Sequence, residues 1–76
     1  MYQIDPIMQK RLDNDYKYHT PINDQQDRYV TLRNAGKQLA ELIVTLSPPS
    51  REQSVALTHL DQVIMNTNAA IARNEK

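Results

Sequence analysis

Two consecutive prolines, Pro48 and Pro49, stand between two long stretches of helical periodicity, and no helix can run through them. Each lacks an N–H donor, its ring collides with the preceding turn, and the residue before it is pushed out of the α region. The chain must break here. With only Ser47 to Ser50 to make the connection, the flanking segments fold back as antiparallel neighbours, which predicts a helical hairpin.

On the N-terminal side, Tyr29, Leu32, Gly36, Leu39, Ile43 and Leu46 recur at spacings of 3, 4, 3, 4 and 3. This is the seam of a helix, and it predicts one from Asn23 to Leu46, on the order of 35 Å long at about 1.5 Å per residue. Gly36 lies on that seam. Glycine there costs about 1 kcal/mol of helix propensity relative to alanine, so a close approach of the partner helix is the expected compensation.

The second long helix is expected to start at Ser50, whose hydroxyl caps a free N–H, with Gln53 completing a capping box. Leu57, Leu60, Ile64, Thr67 and Ile71 form one seam on it, and Ala56, Val63 and Ala70 form a second stripe beside it. Two stripes call for two neighbours. One is the first long helix, and the other is a second subunit.

Upstream, Pro6 and Pro21 mark off a less regular segment. Asp5-Pro6 is an N-cap followed by proline at the first helical position, predicting a short helix to about Leu12 that carries Ile7 and Met8. Asp13 to Thr20 then reads as a polar loop, unusual in holding Tyr16, Tyr18 and His19 within four residues. The expected organisation is an N-terminal arm over 1–22 and a helical hairpin over 23–76. The fold class is all-α, two long antiparallel helices with a short N-terminal helix, assembled as a homo-oligomer.

Self-association follows from size. A chain of 76 residues with no Cys, Trp or Phe has neither a covalent staple nor a large aromatic core, and chains this short usually need one further source of stability. Nine basic and nine acidic residues balance to zero. That removes the broad cationic field which binding of DNA or RNA polymers requires, so any nucleotide ligand is small and bound locally. No apolar run approaches the roughly 20 residues of a membrane span, and Met1-Tyr2-Gln3-Ile4-Asp5 has no signal-peptide character. These features predict a soluble protein of the cytoplasm.

Enzyme chemistry finds little support. There is no Gly-rich phosphate loop, paired-carboxylate arrangement or triad signature, and His19 and His59 lack the spacing to carboxylates that a metal site needs. No catalytic residue, metal ligand or cofactor is expected. Two constellations suit anions instead. At the turn, Ser50 and Arg51 sit at a helix N-terminus with unpaired N–H groups, and several such corners gathered by symmetry would ring a small polyphosphate; the same residues also read simply as a cap and a solvated cation. In the arm, Tyr16, Tyr18 and His19 precede a helix bearing Arg28, Arg33 and Lys37, with Tyr29, Arg33 and Lys37 along one side. Stacking rings beside cations suit bases and phosphates, although tyrosines that pack an arm onto a hairpin give the same pattern. Asn66, Asn68 and Asn74 read equally as cross-interface hydrogen-bonding groups and as polar surface.

Three runs carry a resemblance: Pro48-Pro49-Ser50-Arg51-Glu52, Ala56-Leu57-Thr58-His59-Leu60-Asp61-Gln62 and Asn68-Ala69-Ala70-Ile71-Ala72-Arg73-Asn74-Glu75. Upstream, Tyr18-His19-Thr20-Pro21 and Gln26-Asp27-Arg28-Tyr29-Val30-Thr31-Leu32-Arg33 add to it. Together they resemble the anti-CBASS sponge family of bacteriophages, with its helical hairpin domain. The likeness covers about residues 16–75. It implies a homohexamer that binds cyclic dinucleotides such as cyclic GMP-AMP, and in many members cyclic trinucleotides at separate sites, holding the messengers intact so that the bacterial effector stays inactive. Carried over by motif, it implies Tyr18 and Arg33 at the dinucleotide pocket and Arg51 with Ser50 at the trinucleotide site; Arg28 and Lys37, the other cations beside the aromatic rings, are the further candidates for the dinucleotide pocket. The chain departs from the family where a Trp-Ala pair usually stands and Asn66-Thr67 is found instead. The alternative reading is a structural or regulatory helical oligomer that binds another protein through its exposed stripe.

Overall fold

The computed structural model describes residues 2–75; Met1 and Lys76, the outermost residues of the two expected segments, lie outside the described residues. Three helices follow in order: α1 over Pro6–Asp15, α2 over Gln25–Leu46 and α3 over Arg51–Asn74. No strand occurs among the described residues. The hairpin of α2 and α3 is the body of the molecule, and α1 lies beside its open end.

Each boundary has a local cause. Asp5 Oδ1 accepts from Met8 N at 2.8 Å, and Pro6 occupies the first turn where its missing N–H is not needed. α1 runs past Leu12 to Asp15, so the expected loop from Asp13 begins three residues later. Side-chain pairs one turn apart hold this extra turn: Gln9 Nε2 donates to Asp13 Oδ1 at 2.9 Å, and Arg11 Nε lies 3.6 Å from Asp15 Oδ2. α2 begins at Gln25 instead of Asn23, because Asn23 takes a left-handed conformation with φ 53° that a helix cannot continue through.

At the other end of the hairpin, Ser50 caps α3 by accepting from Gln53 N at 3.1 Å. The reciprocal half of the expected capping box is replaced. Gln53 Nε2 donates to Ser47 O at 3.0 Å and Ser47 Oγ at 3.1 Å, tying the last residue of the α2 end to the first turn of α3 across the prolines.

The facing surfaces follow the helical period. On α3, Leu57, Leu60, Ile64, Thr67 and Ile71 are half-buried, whereas Ala56, Val63 and Ala70 are exposed. On α2, Tyr29, Leu32 and Ile43 are half-buried and Gly36 is buried, but Leu39 and Leu46 are 47% and 79% exposed, with Ala40 and Ser47 taking their places on the inner face. A strict seven-residue repeat drifts about 20° per heptad on a straight helix, which carries the later leucines off the inner face.

The two helices approach closely at Gly36. A Cβ at that position would lie 3.0 Å from Ile64 Cγ1 and 3.1 Å from Ile64 Cδ1. The Cα trace measures 48 × 39 × 12 Å, so the helices lie side by side in about one layer. A molecule one helix thick cannot enclose a core: no apolar side chain among the described residues is buried, and Gln25, at 3% exposure, is the one buried polar residue.

Candidate functional site

The open end of the hairpin holds a concavity of about 440 Å³ built from three elements. The loop after α1 brings Tyr18 and His19, α2 brings Tyr29, and α3 lines it with Asn68, Ala69 and Ala72. Alanines on α3 leave room between the rings. Tyr18 is 80% exposed, so one ring face is open for stacking, and Asn68 Oδ1 is buried with no hydrogen-bond partner. An unpaired buried acceptor is costly.

The loop that presents Tyr18 is tied down on both sides. Before it, Asn14 Nδ2 donates to Arg73 O at 3.1 Å, Arg73 Nε lies 3.7 Å from Asp15 Oδ1, and His19 Nε2 donates to Asn14 O at 2.9 Å. After it, Ile22 N donates to Gln25 Oε1 at 3.0 Å, while Gln25 Nε2 donates to both Glu75 O and Glu75 Oε1 at 3.3 Å.

Arg28 completes this second tie. Its Nη1 donates to Glu75 Oε2 at 2.9 Å, its Nη2 to Glu75 Oε1, and its Nε lies 3.2 Å from Asp24 Oδ1. The hydrogen bonds from Arg28, and secondarily from Gln25, lower the Glu75 pKa to about 2, and those to Glu75 push Arg28 above its ordinary range. Both side chains keep a third or more of their surface in solvent, so screening tempers the pair.

Arg33 and Lys37 lie one and two turns beyond Tyr29 and are in no ion pair among the described residues. They line a separate concavity of about 450 Å³ with Gly36, Asp61, Ile64 and Met65. Within one chain, Tyr18 and Arg33 therefore line different concavities. At the turn, the Ser50 hydroxyl accepts from Gln53 N and donates to Pro48 O at 3.1 Å, and Arg51 is exposed and unpaired among the described residues. Ser50 borders a mainly apolar groove of about 720 Å³ between Leu39, Leu42, Leu46 and Ala56.

Asn66 Nδ2 and Thr67 Oγ1 bond back to Gln62 O at 2.8 Å and Val63 O at 2.7 Å. Asn74 Nδ2 does the same with Ala70 O at 2.9 Å. No group of three or more His, Asp or Glu among the described residues is arranged to hold a metal ion. No helix among them is long and apolar enough to cross a membrane.

The family model of the Acb2/Tad1 hairpin domain matches residues 8–72. The chain belongs to that family. The Acb2/Tad1 hairpin family is the anti-CBASS sponge family, and the match runs from within α1 to within the last turn of α3. It takes in the aromatic cleft, the Arg33–Lys37 surface and the turn. It is a sponge-domain family, typically non-catalytic. Neither a curated protein nor a solved structure was found that matches the chain.

Gln25 and Glu75 went unmarked in the sequence, where a glutamine at a helix start is an ordinary solvated residue. One signal was present: Ile22-x-x-Gln25 has the spacing at which a side chain reaches back to the N–H three residues earlier.

Proposed function

We propose that this chain is a non-catalytic sponge that sequesters cyclic di- and trinucleotide messengers, such as cyclic GMP-AMP, and so blocks CBASS immunity in the cytoplasm of an infected bacterium. The observation that carries the reading is membership of the Acb2/Tad1 family over residues 8–72. The aromatic cleft adds to it, with an open Tyr18 face for a base. Tyr18, Arg33 and Lys37 contact the dinucleotide, and Arg28, already bidentate to Glu75, serves the site as part of its frame. Ser50 and Arg51 take a trinucleotide phosphate at a separate site.

The working form is a homo-oligomer, a hexamer. Its support is surface area: a folded monomer of 8.8 kDa exposes about 4,800 Å², whereas this chain exposes 6630 Å². The excess, roughly 1,800 Å² on one chain, is about twice the ~800 Å² that each partner loses in a standard interface, so it suits a copy with two neighbours. Packing between copies would cover the Ala56, Val63 and Ala70 stripe and bring Tyr18 of one copy near the Arg33 and Lys37 surface of another.

One experiment separates the readings. Purified protein is mixed with cyclic GMP-AMP, binding is measured by calorimetry, and the complex is denatured and its nucleotide analysed by chromatography. The sponge reading expects binding and intact recovery. Linear product would mean an enzyme, and absence of binding would favour the protein-binding scaffold. Light scattering on the same sample is expected to give six times 8.8 kDa.

A further inference from the structure

We propose that Gln25 is a positioning residue for the aromatic cleft, bracing the Lys17–Asp24 loop against the end of α3 through Glu75. The inference rests on reading the cleft as a nucleotide site. Gln25 has no surface to offer a ligand at 3% exposure. Its side-chain amide is committed inside the chain, Oε1 to Ile22 N and Nε2 to Glu75 O and Oε1. Its own N–H donates to Ile22 O at 3.0 Å, so Ile22 and Gln25 are bonded in both directions around the left-handed Asn23.

The geometry has one consequence for the cleft. The loop leaves α1 at a point fastened to Arg73 and enters α2 at a point fastened to Glu75, two residues apart on the same helix end. Tyr18 lies between these fastenings and has almost no packing of its own, as its 80% exposure shows. The ring is held in place by the two ends of its loop. The N-terminal end has three bonds of its own, through Asn14, Asp15 and His19. At the C-terminal end the N-cap residue Asp24 makes no side-chain cap bond, and the ties are the Gln25 amide and the Asp24–Arg28–Glu75 contact, both of which end on Glu75. Arg28 acts on the ligand through the same device, by fixing the Glu75 carboxylate that Gln25 donates to.

Gln25→Met keeps length and volume while removing both the donor and the acceptor. If the loop then holds the competent conformation about a tenth of the time, apparent affinity falls about tenfold. Amide exchange by NMR on the full chain without nucleotide, and calorimetry with cyclic GMP-AMP, are run on the parent, Gln25→Met and Glu75→Ala. Glu75 is at the exposed end of α3, so its loss leaves the hairpin folded. Expected are faster exchange at residues 17–23 with unchanged protection in the middle of α2 and α3, an unchanged assembly mass, and affinity losses of about tenfold for Gln25→Met and a few-fold for Glu75→Ala. Unchanged exchange at 17–23, affinity within twofold of the parent, or protection lost along both helices would each overturn the proposal. A parent protein that binds no cyclic dinucleotide would sink the sponge reading and, with it, the ligand side of the role. The exchange data would still decide whether Gln25 holds the loop.

Discussion

Replacing Gly36 by alanine sets two opposing effects against each other at a single contact. Alanine in a helix interior is favoured over glycine by about 1 kcal/mol. The added methyl would stand 3.0 Å from Ile64 Cγ1 and 3.1 Å from Ile64 Cδ1, tighter than ordinary carbon–carbon contact by about half an ångström, and overpacking of this kind costs about 1–3 kcal/mol. In the parent background the two effects leave Gly36→Ala neutral or destabilising by up to about 2 kcal/mol. Ile64→Ala removes both crowding carbons. Although that change alone costs about 2 kcal/mol for a half-buried isoleucine, in its background Gly36→Ala shows the propensity gain unopposed and stabilises by about 1 kcal/mol, or about 4–8 °C in melting temperature. The assay is a double-mutant cycle by thermal and urea unfolding, followed by circular dichroism at one fixed protein concentration, because association makes melting temperature depend on concentration. A Gly36→Ala gain of equal size with and without Ile64 would refute the close approach as the reason for glycine.

Three further outcomes are expected. Glu75, whose pKa falls from 4.5 to about 2, contributes stability that is complete above pH 4.5 and is lost as pH falls toward 2. The melting-temperature difference between parent and Glu75→Gln should therefore be present at pH 6 and vanish by about pH 2; a difference independent of pH would remove the ion pair as its cause. Tyr18→Ala should weaken cyclic dinucleotide binding by about 1–3 kcal/mol, roughly 5- to 150-fold, with assembly mass unchanged, and calorimetry showing parental affinity would move the stacking face elsewhere. Arg51→Ala should abolish most cyclic trinucleotide binding, leave dinucleotide binding nearly unchanged, and stabilise the free protein by about 0.3–1 kcal/mol through relief of a cation at a helix N-terminus. Equal losses for both ligand classes would make Arg51 a support of the assembly.

Sequence alone determined the parts that depend on neighbours within a few residues. Pro48-Pro49 forced the break, Asp5 and Ser50 capped their helices, the apolar spacing of α3 selected its inner face, and Gly36 announced a close crossing. All of these are short-range rules of backbone geometry and helical period. What extends across the hairpin was hidden. A 3.5-residue reading put Leu39 and Leu46 on the inner face, whereas the 3.6-residue period of the folded helix turns them outward. The reach of Gln53 to Ser47 depended on how the prolines folded the connection. Gln25 and Glu75 are 50 residues apart in the chain and carry no local pattern that pairs them, and the same holds for Asn14 with Arg73. Their meeting is set by the lengths of α2 and α3, which return the C-terminal end of the hairpin to its start. Tertiary structure alone therefore decided that Arg28 faces a carboxylate of its own chain and that Tyr18 and Arg33 line different concavities.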